Sequence, residues 1–339
     1  MMLLIIAHHL VVNSGVMEQM WSHPSSLNAI YLFIYGAWGK MAINCFVFIT
    51  GYYMCTSHIS VQKFARLFFQ VLFYNVIIYC IFLCFGYEQL SWKGVLHLFP
   101  INDVQSNFVS CYLLFYLCIP FINILIHNLN QKKHFALIVI CLFIYTVLNL
   151  FFTVSLNYVS WFVILYFISS FIRLYPVKML EQPRKMMWAS FVLLGLSVVS
   201  IIGCVYVSVI LDKRVQYYFL SDSNALFAVL TSIALFSFFK NVKIRQSKFI
   251  NAVASTTFGI LMIHANSDAM RQWLWQDFLC IPQMIDSSFL IPYTILCVLS
   301  IFVVCSAIDF LFSRLIFCRI ERVISKIDMT FVVNFKNNI

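Results

Sequence analysis

Apolar residues run through this chain in long blocks divided by short polar stretches. Ten blocks stand out: residues 1–17, 29–56, 65–86, 108–127, 135–153, 158–175, 187–211, 222–240, 252–273 and 288–313. Most approach or exceed the roughly 20 residues that an α-helix needs to cross a bilayer. The alternating pattern of a membrane-spanning strand, repeated over about ten residues, is absent. Hydrocarbon offers no partner to backbone N–H and C=O groups, so blocks of this kind must satisfy them internally as helices. The pattern predicts an all-α fold, a polytopic transmembrane helical bundle of about ten spans. The connecting loops are short and leave no separate soluble domain, so residues 1–326 read as one membrane domain and 327–339 as a cytoplasmic C-terminal tail.

Composition agrees, since 63% of the 339 residues are hydrophobic and only 10% are charged, far from the balance of a soluble domain. The net charge of +10 raises the question of a nucleic-acid partner, but the basic residues fall in alternate loops, which is how membrane topology is written. With a cytoplasmic N-terminus, the inner set holds Lys63, Arg66, Lys132, Lys133, Arg173, Lys178, Arg184, Lys185, Lys240, Lys243, Arg245, Lys248, Arg314, Arg319, Arg322, Lys326 and Lys336, which is 17 of the 22 Lys and Arg. Lys40, Lys93, Lys213, Arg214 and Arg271 remain outside. Both termini are therefore expected in the cytoplasm, the protein in the inner (cytoplasmic) membrane, and no nucleic acid is needed as partner. The 12 cysteines are scattered without metal-ligand spacing, so no metal site is expected. The first block has neither a basic leader nor a small-residue cleavage site, and it does not read as a removed signal peptide.

Ionisable groups inside spans are costly and mark working sites by default. His8 and His9 interrupt the first block. At 1.5 Å per residue, Lys40 lies roughly 16 Å from the outer end of its span and His264 roughly 18 Å from the inner end of its own, both near mid-membrane. His9, Lys40 and His264, from three separate spans, form the candidate catalytic group. Asn44, one turn from Lys40, and Asp268, one turn from His264, extend the cluster as candidate substrate contacts. His8 reads as a helix-to-helix hydrogen bond. His23, His58, His97, His127 and His134 fall in loops or near span ends. On the cytoplasmic side Lys63 and Arg66 share a helix face, as a site for a phosphate-bearing ligand would, or as simple topology-setting charge would.

Taken in order, six segments resemble the integral-membrane acyltransferase 3 family: LLIIAHHLVV, GKMAINCFVFITGYYM, KFAR, NFVSCYLLFYLCIPFIN, WFVILYFISSFIRLY and GILMIHANSD. The similarity runs over nearly the whole chain and rests on the order of the segments. It implies transfer of an acyl group, usually acetyl, from cytoplasmic acetyl-CoA to a hydroxyl of a cell-surface or lipid-linked glycan. Family members carry an Arg, ten residues and a His in the first span; here His9 is the His, and the Arg would precede Met1, so the chain is expected to begin late. Lys63 and Arg66 correspond to the family's R-x-x-R pair near the acyl-CoA entrance, with Lys in place of the first Arg. Lys is a point charge that cannot grip phosphate in bidentate fashion. Asn107 and Trp161 fall at positions where the family places polar or aromatic residues near the outer face, as acceptor contacts; Trp161 also reads as an interfacial anchor. Polysaccharide-assembly proteins are possible partners in this setting. The competing class is a secondary transporter or glycan flippase, for which repeated halves with matching Gly/Pro breaks are missing. A non-catalytic scaffold for polysaccharide export would not need mid-membrane His and Lys.

Overall fold

A computed structural model describes residues 1–57, 60–104, 107–318 and 320. His58, the basic residues Arg319, Arg322, Lys326 and Lys336, and the tail 327–339 lie outside the described residues. Among the described residues all regular structure is helical. In chain order the α-helices are α1 (Met2–Asn13), α2 (Val16–Ser22), α3 (Leu27–Gly36), α4 (Gly39–Met54), α5 (Val61–Cys84), α6 (Trp92–His97), α7 (Phe108–Asn128), α8 (Gln131–Leu142), α9 (Tyr158–Leu174), α10 (Pro183–Leu211), α11 (Leu226–Asn241), α12 (Lys248–Ser255), α13 (Thr257–His264), α14 (Asp268–Arg271) and α15 (Leu290–Phe312).

Local sequence sets many of their starts. Side chains of Ser26, Ser60, Ser91, Asn107, Asn130, Asn157, Ser247 and Ser267 accept from first-turn amides that have no helical partner. Pro183 opens α10, where its missing N–H costs nothing, and Asp212 ends it in the left-handed conformation. Six helical segments among the described residues are long and apolar enough to cross a membrane, or up to seven if one bent pair counts as a span. The remaining three of the ten apolar blocks are shorter apolar helices, α1, α9 and α11.

The blocks are less regular than their hydropathy. The second is divided at Ala37 and Trp38 into α3 and α4, and the fifth continues from α8 through a π-helical turn, Phe143–Val147. The ninth bends by 95° between the Lys248–His264 and Asp268–Met284 halves. Hydropathy averages over such breaks because each is only a few residues long within an apolar block. Non-helical backbone at membrane depth is tolerated where protein or a polar cavity surrounds it.

Burial explains why two helices are short. α9 is covered over most of its circumference, from Tyr158 through Trp161, Leu165 and Tyr166 to Ile172. α1 packs among α3, α4 and α15, with Ile6, Leu10 and Val11 sealed from solvent and lipid alike. Helices walled in by protein do not have to match the hydrocarbon thickness themselves. α10, by contrast, exposes Trp188, Phe191, Val192, Val199 and Ile210 on its outer face, where a bilayer would cover them. The Tyr74–Asp309 bond (2.5 Å), between buried groups, ties α5 to α15.

Candidate functional site

Two of the three candidate catalytic residues stand at helix breaks. Lys40 is the second residue of α4, just past the α3/α4 interruption, and His264 is the last residue of α13, at the 95° bend. His9 approaches both breaks from α1, in the middle of an unbroken helix. Close approach has a steric condition: a Cβ on Gly39 would run into the His8 ring, so α4 reaches α1 only because position 39 has no side chain. His8 Nδ1 lies 2.7 Å from the carbonyl of Gly36, the last residue of α3, and donates to it. That is a helix-to-helix bond, spent on a backbone group at a helix terminus.

The two imidazoles of His9 and His264 are joined directly. His264 Nδ1 is 2.6 Å from the Ile260 carbonyl, and a carbonyl only accepts, so Nδ1 carries the proton. In the neutral ring its Nε2 is then an acceptor, and it lies 3.0 Å from His9 Nδ1. His9 must therefore donate through Nδ1, and Nε2 is left with a lone pair. His9 lines a cavity of about 730 Å³, whereas His264 stands behind it, fully buried with its ring edge-on to Trp275. The arrangement is that of a base held in one tautomer by a second, sequestered group.

Lys40 is not a solitary cation. Its Nζ donates to the Tyr158 hydroxyl at 2.6 Å and lies 3.2 Å from Asp222, and Tyr158 in turn donates to Asp222 at 2.9 Å. Lys40 belongs to the candidate catalytic group by its depth, and its counter-ion Asp222 comes into view in the fold. The signal was available in the polar run Ser221–Asn224 just before α11, whose carboxylate needs a partner at that depth. Asn44 and Trp161 form a separate clasp: Trp161 Nε1 donates to Asn44 Oδ1 at 3.0 Å, and Asn44 Nδ2 donates to the Ser223 carbonyl at 2.7 Å. Both side chains are fully buried, and neither lines the cavity. This clasp binds α4 to α9 and to the segment ahead of α11.

The cavity wall does include Asn107 and Asp268. Asn107 Oδ1 is already accepting from Val109 N and Ser110 N as the cap of α7. Asp268 is paired with Arg271 at 2.7 Å, and Arg271, counted in the sequence only as an outer charge, lines the same cavity. Asn75 on α5 and Asn266 in the bend are bonded to each other at 3.0 Å. The rest of the wall comes mainly from the segment between α5 and α7.

Lys63 and Arg66 stand exposed in the first turns of α5, whereas Asn75 and Tyr79 reach the cavity from its later turns. Arg66 and Asn75 are separated by roughly 14 Å along the axis. The two basic residues are not on this cavity wall. Among the described residues there is also no group of His, Cys, Asp or Glu that could hold a metal ion.

A protein-family model described as "Acyltransferase domain", the acyltransferase 3 model, matches residues 1–309. That stretch includes every residue of the site. No curated protein and no solved structure matches the chain.

Proposed function

The chain belongs to the acyltransferase 3 family, and from that membership we propose that it is a membrane O-acyltransferase that moves an acyl group, acetyl in the simplest case, from cytoplasmic acyl-CoA to a hydroxyl of a glycan or lipid-linked saccharide. The observation that carries this reading is the His9–His264 pair on a polar cavity, with His9 Nε2 as the unprotonated nitrogen.

In the reaction His9 Nε2 takes the proton of the acceptor hydroxyl as its oxygen attacks the thioester carbonyl. The C–S bond breaks, the sulfur leaves as thiolate, and the imidazolium returns the proton to give free thiol. Atoms balance: thioester and alcohol become ester and thiol. His264 stabilises the imidazolium by accepting from Nδ1 throughout, and Lys40, held by Asp222 and Tyr158, supplies a positive charge toward the oxyanion. Transient acylation of His9 itself is the variant of this scheme in which the same lone pair attacks the thioester first. Lys63 and Arg66 hold the donor's phosphates at the cytoplasmic end of α5, and the long flexible arm of acyl-CoA carries the thioester toward the site. Asp268 and Asn107 contact the acceptor from the cavity wall.

All ten apolar blocks cross the inner membrane in this proposal, with both termini in the cytoplasm and polysaccharide-assembly proteins supplying the acceptor. The short helices α1, α9 and α11 and the bent pair then complete the crossing as spans shielded by their neighbours. The test is purified protein in liposomes given labelled acyl-CoA and candidate glycans. Label transferred to glycan and lost in His9→Ala is the expected result. Glycan translocated across the bilayer without acylation would instead identify a flippase.

A further inference from the structure

The cavity on which His9 opens carries charge of both signs, and how that charge is arranged bears on the acceptor. Its wall includes the cations Lys40, Lys93 and Arg271 and the carboxylates Glu88, Asp103 and Asp268. These six formal charges cancel. Two of the cations are locally matched, Lys40 by Asp222 at 3.2 Å and Arg271 by Asp268 at 2.7 Å. Asp222 adds one more negative charge against Lys40, so the wall and its immediate backing hold no cationic surplus.

An anionic acceptor brought against this wall surrenders hydration and finds a carboxylate already beside each of those two cations. With Asp222 counted, four carboxylates stand against three cations, so the charge balance sets no corresponding bar to a cationic acceptor. Uncharged polar groups line the same wall, among them Asn75, Tyr79, Asn102 and Asn266, each already bonded inside the protein and with further donor or acceptor capacity left. Amides and phenols donate and accept together, as sugar hydroxyls do. The volume of about 730 Å³ falls in the range of pockets for small organic ligands.

We propose that the wall selects an uncharged, polyhydroxylated saccharide unit as acceptor and discriminates against its uronate. The inference rests on the acyltransferase reading above and names the substrate class of that same site. Specificity of this kind comes as much from unbalanced charge in the wrong complex as from contacts in the right one.

The experiment uses the full chain in detergent or liposomes and two methyl glycosides of one ring skeleton, the neutral hexoside and its uronate. Binding is read by calorimetry, separately from acyl transfer. The neutral glycoside is expected to bind at least about tenfold more tightly than the uronate, a difference of about 1.4 kcal/mol. Equal or tighter binding of the uronate overturns the proposal, as does failure of both glycosides to bind.

A second variant probes the cause. Asp268 has a side chain 97% exposed, so Asp268→Asn leaves the packing intact while removing the counter-charge of Arg271. Uronate binding relative to the neutral glycoside is expected to rise about threefold in this variant, the exposed pair being screened by solvent. An unchanged ratio refutes the charge-matching argument. Ranked binding without any acyl transfer in the native protein would sink the acyltransferase reading and leave the charge ranking standing, so the two failures are distinct.

Discussion

Replacing His264 with Leu tests the histidine pair most directly. The substitution removes the acceptor 3.0 Å from His9 Nδ1 and the donor 2.6 Å from the Ile260 carbonyl. The position is fully enclosed, so water has no easy access to take over either role. A buried donor left without a partner costs about 1–3 kcal/mol. His9 escapes that cost by moving its proton to Nε2 or by turning its ring, and either change removes the lone pair that faces the acceptor. Restoring the productive tautomer then costs the same amount, which corresponds to a roughly 5- to 150-fold loss in kcat. His264→Gln returns a carbonyl acceptor to the position and should recover most of that loss. The assay is acyl transfer from labelled acyl-CoA to a glycoside in liposomes, with thermal unfolding in detergent to show that the variants remain folded. A Leu variant that is folded and as active as the native protein would refute the reasoning. So would a Gln variant as impaired as the Leu variant.

The charge triad predicts strong coupling: Lys40→Met and Asp222→Asn should each destabilise by about 1–3 kcal/mol, discounted from a fully buried pair because Asp222 is a third exposed, and the double variant by clearly less than their sum. Additive unfolding energies in detergent would contradict this. Trp161→Phe removes the donor to Asn44 and should cost about 1 kcal/mol in stability while leaving the KM for acceptor unchanged; a large KM effect would place Trp161 in the acceptor site instead. Gly259→Ala puts a Cβ against the Asp309 carboxylate where α13 meets α15, and overpacking there should lower stability by about 1–3 kcal/mol. An unchanged melting temperature would show that the helices can separate freely. Lys63→Ala with Arg66→Ala should raise the KM for acyl-CoA and spare that for the glycan, measured by varying each substrate in turn; an equal effect on both would argue against a donor-side role.

Particular residues show where sequence reasoning reached and where it stopped. The depth of His9, Lys40 and His264 follows from counting 1.5 Å per residue along apolar blocks, which needs no knowledge of neighbouring helices. The same counting could not tell that Asn44 and Trp161 turn toward each other, because facing depends on how each helix is rotated and which helix lies beside it. It passed over Asp222, which sits at a block edge and gains meaning only as the partner of Lys40. Hydropathy averages across a bend, so Arg271 counts as an outer charge by sequence, whereas the 95° bend brings it to the cavity.

By itself, the order of apolar blocks and marked segments determined a helical membrane protein of the acyltransferase 3 family, because bilayer thickness and backbone hydrogen bonding leave few options for such a chain. Tertiary structure alone decided that His9 donates to His264, that Lys40 is paired with Asp222, and that a polar cavity opens on the first of these pairs. Those contacts join residues far apart in the chain. Their geometry is set by the lateral packing of helices and the places where they break, and periodicity along any one helix carries no record of either.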